Sequence, residues 1–125
     1  MKNYLDKILS TKEIIKKIGV FPRPAKSKVS MCHGVFDLVH PGHIRHLTYT
    51  KSKSSILIVS ITSDFHVKKA DLRPYVPQKL RAENLAALEF VDYVLIDENE
   101  TPITNIKKIK PDYFVRGYEY IKSKK

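Results

Sequence analysis

The feature that most constrains this chain is the junction MCHGVFDLVHPGHIRHL, Met31 to Leu47, centred on His40-Pro41-Gly42-His43. A β-leaning run from Lys28 to Met31 precedes it, and the spacing of Ile44 and Leu47 begins a helix. The junction reads as strand, tight turn, helix. Pro41 suits the first helical position, where a missing N–H costs nothing and φ is already set. Gly42 removes a side chain where backbone N–H groups point outward, so a ligand can approach the main chain. His40 and His43 are spaced to put both rings on one side of the first turn. Such a helix N-terminus, with a bare glycine and two imidazoles, suits phosphate. Zinc is the competing reading, but the spacing is tight for a helical ligand pair and no cysteine cluster completes a ligand set. No metal is therefore assigned to protein side chains. A first-turn imidazole aimed at a ligand is also expected to make few core contacts.

With 125 residues the chain is one domain at most. Its single cysteine, Cys32, excludes an internal disulfide, fits a reducing compartment and falls in the first strand as a buried thiol. Met1 to Leu9 lacks the continuous apolar core of a signal peptide, and no run approaches transmembrane length, so the expected compartment is the cytoplasm. Residues 1–27 read as a helical arm and linker, a lid or packing arm outside the central fold, broken at the Ser10/Glu13 capping box, stopped at Gly19 and extended through Phe21-Pro22-Arg23-Pro24. Residues 28–125 form the main domain. Ser54 to Ile61 is β-branched and nearly continuous, the pattern of a strand buried on both faces. It ends in the polar Thr62-Ser63-Asp64. Gln78 to Phe90 is a helix with Leu85 and Leu88 inward, and Val91 to Ile96 is a third strand. Thr101-Pro102 opens a helix with Ile103, Ile106 and Ile109 inward, and Asp112 to Val115 is a fourth strand ending at Arg116-Gly117. Strand and helix alternate throughout, which predicts a doubly wound parallel α/β domain of Rossmann-like form. Lys51-Ser52-Lys53-Ser54-Ser55 reads as a helix end and turn.

Gly34-Val35-Phe36-Asp37 followed by His40-Pro41-Gly42-His43 resembles the G-x-F-D-x-x-H-x-G-H signature of the small, cytidylyltransferase-like nucleotidyltransferases. Arg73-Pro74 through Arg81 to Leu88-Glu89-Phe90-Val91-Asp92, then Lys110-Pro111-Asp112-Tyr113-Phe114-Val115-Arg116-Gly117, is similar to one branch, the nucleotidyltransferase domain of the ADP-heptose synthases (heptose-1-phosphate adenylyltransferases). The resemblance covers roughly residues 28 to 120. It implies transfer of a nucleoside monophosphate from ATP or CTP to a sugar phosphate or related phosphate, with Mg²⁺ accompanying the triphosphate. His40 and His43 would contact the triphosphate, with Lys68 and Arg81 as further catalytic cations. Gly34, Val35, Phe36, Asp37, Gly42, Arg45, Asp64, Arg116 and Gly117 are the nucleotide-side candidates, Asp37 orienting a ligand group or a motif histidine. The family carries a further Ser/Thr-rich turn and helix after the fourth strand. This sequence reaches Lys125 without them, so either a piece of a longer protein or a naturally shortened relative is expected, the piece being favoured.

The net charge of +10, from 23 Lys and Arg against 13 Asp and Glu, favours anionic partners. Lys107, Lys108, Lys110, Lys122, Lys124 and Lys125 carry much of it and read as solvated positions. The expected partners are an NTP and a sugar phosphate, with neither membrane nor nucleic acid, and homodimerisation open. Two other readings stand beside this one. A basic α/β domain could bind RNA, with Tyr113, Tyr118 and Tyr120 stacking on bases. The chain could also be a non-catalytic half of a bifunctional sugar-activating enzyme.

Overall fold

The computed structural model describes residues 3–69 and 75–115. Strands β1 (Val29–Gly34), β2 (Ile56–Thr62), β3 (Tyr93–Asp97) and β4 (Tyr113–Phe114) form one parallel sheet in the order β3-β2-β1-β4. The helices are α1 (Thr11–Ile18), α2 (Pro41–Lys51), α3 (Asp64–Lys69), α4 (Gln78–Ala86) and α5 (Ile103–Ile109). Successive residues of a strand point to opposite faces, and both faces of this sheet are apolar. Cys32, Leu57, Val59, Ile61 and Val94 pack with Leu47 of α2 and with Ala82, Leu85 and Ala86 of α4. Val29, Met31, Ile58 and Leu95 pack with Ile14 and Ile18 of α1 and Ile109 of α5. The doubly wound α/β architecture expected from the alternation is the one observed. Burial pushes the Cys32 thiol up to about 12, so it is inert packing.

The N-terminal segment is not outside the fold. Its capping box forms as expected, Glu13 N–H donating to Ser10 Oγ at 3.2 Å and Ser10 N–H to Glu13 Oε1 at 2.9 Å. But Ile14 and Ile18 then enter the core, because the sheet face left open by α5 needs a second helix to keep water from it. Upstream, Ile8 bridges to Val94 and Leu9 N–H donates to Val94 O at 3.0 Å, so this segment also covers the β3 edge. Arg23 wires the linker in. It is buried, donates to the carbonyls of Ile18, Gly19, Ile109 and Lys110, and pairs with Asp112 at 3.1 Å.

Other departures are local. α4 stops at Ala86, where Leu88 N–H turns back to Leu85 O and the Leu88 carbonyl takes Lys7 Nζ. Ile103 is 55% exposed rather than inward, and the buried position goes to Asn105, which accepts from Thr11 Oγ1 at 2.8 Å. Asp112 N–H and Val115 N–H both bond to β1, to Val29 O and Met31 O, so the β4 pairing spans the expected stretch. Lys51 closes α2 and reaches Asp92 at 2.7 Å, a helix end as read.

Candidate functional site

β1 ends at Gly34 and its chain passes directly into the N-terminus of α2, so the His40–His43 turn lies at the carboxyl edge of the sheet. Strand order reverses there, with β2 on one side of β1 and β4 on the other, which is where open α/β sheets bind ligands. His40 is the N-cap of α2 and Pro41 its first residue. The imidazoles do more than face a ligand. Gly42 N–H donates to His40 Nδ1 at 3.0 Å, and His40 N–H donates to His43 Nδ1 at 3.3 Å. An imidazole nitrogen that accepts carries no proton, so in this geometry each ring proton sits on Nε2, the donor an anion requires. The rings stack 4.0 Å apart, and His43 meets the edge of Phe36 at 5.3 Å. The expectation of few structural contacts at His43 is therefore corrected. Gly42 also has a different reason to be bare: a Cβ there would stand 2.8 Å from the His40 ring, so the space serves the cap.

Gly34-Val35-Phe36-Asp37 is a scaffold in which each residue props a neighbour. A Cβ on Gly34 would lie 2.9 Å from the Phe36 ring. Phe36 itself holds φ at +50°, unusual for a bulky residue, which folds its buried ring back beneath His43. The Val35 carbonyl accepts from Arg81 Nη1 at 2.8 Å. Asp37 accepts from the N–H groups of Tyr75 and Val76, both at 2.8 Å, and so pins the strand of chain before α4 rather than a histidine.

Arg81 is likewise not a cation facing outward. It is fully buried, and besides Val35 it donates to Val76 O at 2.9 Å and to Asp64 Oδ1 at 2.7 Å. Asp64 closes the circuit: Gln78 N–H donates to its Oδ2 at 3.1 Å and its own N–H donates to Gln78 Oε1 at 2.8 Å. Burial works to raise the Asp64 carboxyl, but the Gln78 N–H, the Arg81 guanidinium and the Lys68 charge outweigh it and hold it below the usual carboxylate range. Lys68 itself is exposed on α3. Arg45 is exposed one turn into α2 and lines an open depression with Val39, His40, Pro41 and Ile44. The structure thus joins His40, His43, Phe36, Asp37, Arg81 and Asp64 through contacts around one edge, while Lys68 reaches them through charge alone. Arg116, Gly117, Arg73 and Pro74 lie outside the described residues, as do Tyr118 and Tyr120.

One residue escaped the sequence reading. His33, one position before Gly34, has Nδ1 2.8 Å from Ser60 Oγ and Nε2 3.1 Å from Thr62 Oγ1. Burial lowers its pKa, against a pull upward from Asp97. A histidine near the carboxyl end of a predicted strand, facing a strand that ends in hydroxyls, was the available signal. Among the described residues, no three His, Cys, Asp or Glu side chains group to hold a metal. With Asp37 and Asp64 committed to backbone and guanidinium donors, the donor set at this edge suits anions rather than a hard cation.

Residues 31–125 match the cytidylyltransferase-like family. The chain is 40% identical over 117 residues to the bifunctional protein HldE of Helicobacter pylori, and 38% over 120 residues to HldE of Campylobacter concisus. These alignments take in 92% and 94% of the chain but 24% and 25% of those proteins, so it spans about a quarter of their length. The crystal structure of a lipopolysaccharide core biosynthesis protein from Thermoplasma volcanium superposes with a TM-score of 0.66 at 25% identity, covering 70% of this chain and 71% of that one. The histidine turn at the reversal of a parallel sheet and the match across most of the sequence lead to one conclusion: the chain belongs to the cytidylyltransferase-like family of nucleotidyltransferases.

Proposed function

We propose that this domain transfers a nucleoside monophosphate from ATP or CTP to a sugar phosphate and releases pyrophosphate. The observation that carries the proposal is the pair of stacked imidazoles capping the α2 N-terminus at the carboxyl edge of β1. An NTP and a phosphate acceptor repel, so the barrier is largely one of position and charge. The acceptor phosphate oxygen attacks the α-phosphorus, the bond from that phosphorus to the bridging α–β oxygen breaks, and its electrons leave with pyrophosphate. No protein nucleophile is needed. His40 and His43 donate Nε2–H to the triphosphate as charge shifts onto the leaving group, each such donor being worth about 3 kcal/mol. Arg81 and Asp64 act through position, holding the Val35 carbonyl and the start of α4. Arg45 and Lys68 are the exposed cations for the outer phosphates. Arg116 and Gly117 would serve the ribose and base. Mg²⁺ enters as part of the Mg–NTP substrate, coordinated by phosphate oxygens and water.

A sugar phosphate acceptor is supported by the sequence resemblance to the nucleotidyltransferase domain of the ADP-heptose synthases and by the HldE relatives. The deciding experiment measures pyrophosphate release from each of the four NTPs against a panel of sugar 1-phosphates, using the full-length protein. Release with one NTP and one sugar phosphate is the expected result. RNA affinity that falls steeply with salt, with no pyrophosphate from any pair, would overturn the reading.

A further inference from the structure

Against the expectation of no membrane partner, we propose that the end of the domain remote from the histidine turn docks on an anionic lipid surface. α1 and α5 lie side by side on one face of the sheet and run in the same direction. Thr11 meets Asn105 near their starts, and Arg23 gathers the carbonyls of Ile18, Gly19, Ile109 and Lys110 at their ends. Lysines nearly a hundred positions apart in sequence thereby share one surface. Lys12, Lys16, Lys17, Lys107, Lys108 and Lys110 are all exposed. Across 11–21 and 103–110 the single carboxylate is Glu13, which caps α1 and feels the charges of Lys16 and Lys17. Lysines at a helix C-terminus complement its dipole, but that accounts for their place on each helix, not for six lysines against one carboxylate.

A second observation falls at the same end. Val20 and Phe21, just past α1, are 78% and 51% exposed. The Arg23 bonds hold this loop against the lysine-bearing ends of both helices. Exposed apolar side chains bordering a lysine patch are the composition of a peripheral membrane contact: the lysines meet the headgroup phosphates and the apolar pair enters the acyl boundary. The alternatives fit less well. Nucleic-acid surfaces use arginine forks and stacking aromatics among the basic groups, and this patch is lysine alone, with Phe21 at its margin rather than interleaved. The substrate does not explain it either. The lysine-bearing ends lie toward the amino edge, and the six residues of β1, at about 3.3 Å each, put roughly 20 Å between that edge and the histidine turn, about two Debye lengths. No helix among the described residues is long and apolar enough to cross a membrane, so the contact is at the surface.

The test is co-sedimentation with vesicles of phosphatidylcholine alone and with about a third phosphatidylglycerol, at low and high salt. The wild type is expected on the anionic vesicles only. Changing Lys16, Lys17, Lys107 and Lys108 to Gln should weaken binding about tenfold or more. Val20→Ser with Phe21→Ser should remove the part that survives high salt. Neither variant should alter pyrophosphate release, since these side chains are exposed and away from the histidine turn; the quadruple variant should melt only slightly lower, by the lost charge at the two helix ends. Equal binding to both vesicle types, no binding at all, or a quadruple variant that binds like wild type would each overturn the proposal. So would polyuridylate held more tightly than vesicles and lost on the same four substitutions, which would make the face a nucleic-acid surface.

Discussion

Arg23 and Arg81 are both buried, donate to four and to two backbone carbonyls, and each pair with one aspartate, yet they sit at opposite edges of the sheet and serve different ends. Arg23 and Asp112 join the ends of α1 and α5 to the start of β4, and Val29 N–H at the head of β1 donates to the same aspartate oxygen as Arg23. Everything they hold is secondary structure. Arg81 and Asp64 hold loops: the Val35 carbonyl beside the histidine turn, Val76, and the entry to α4. The partners differ in exposure as well. The Asp112 side chain is 3% exposed and that of Asp64 29%, so the first pair is sealed and the second lies open to a ligand on one side. The amino edge is closed around its charges, and the carboxyl edge is organised by them.

Arg23→Met is the largest expected break. Leaving Asp112 buried without its partner should cost about 3–5 kcal/mol, read as a lowered denaturation midpoint, with pyrophosphate release per folded molecule unchanged. A drop in turnover matching that of an Arg81 variant would erase the distinction between the edges.

His43→Ala should lower turnover by about 100-fold or more, as loss of a donor to developing charge. It should also cost about 1 kcal/mol of stability, because the His40 N–H loses its cap. His40→Asn separates the two roles. Asparagine caps well, so the melting temperature should hold while turnover falls as far as in the alanine variant. Full activity in His40→Asn would show that Nε2 is not the ligand face.

Arg81→Met comes next. Asp64 keeps partial access to water, so the stability loss should be smaller than for Arg23, about 1–3 kcal/mol. Turnover should fall roughly tenfold through misplacement of the turn, seen in kcat/KM at a temperature where both proteins are folded.

The smallest effect is the one set by pH. Burial works to raise the Asp112 carboxyl, but the Val29 N–H, Arg23 and Lys28 together hold it below its ordinary value, as their counterparts do for Asp64. A lowered native pKa contributes stability that is present above the unfolded value, near 3.9, and lost as pH falls through the lowered one. Urea midpoints should therefore decline below about pH 4, and Asp112→Asn should flatten that decline more than Asp64→Asn. The reverse order would mean that the more open pair is the stronger.

What the sequence determined by itself was everything carried by near neighbours. The Ser10/Glu13 capping box, the proline-started α2, the continuous β2, the helix end at Lys51 and the burial of Cys32 each depend on a few residues whose spacing fixes a local conformation. The family signature was legible for the same reason, being one unbroken strand–turn–helix. The tertiary structure decided what each charged side chain does. Asp37 finds Tyr75 across 38 positions, Arg81 finds Val35 across 46, and Arg23 finds Asp112 across 89. No periodicity records such pairings, because they depend on which helix covers which face once the chain has crossed the sheet. The six residues of α3 were missed because they are too few to show a repeat. Ile103 was misplaced because the rotation of α5 is set by Asn105 meeting Thr11, a contact made only after α1 has docked.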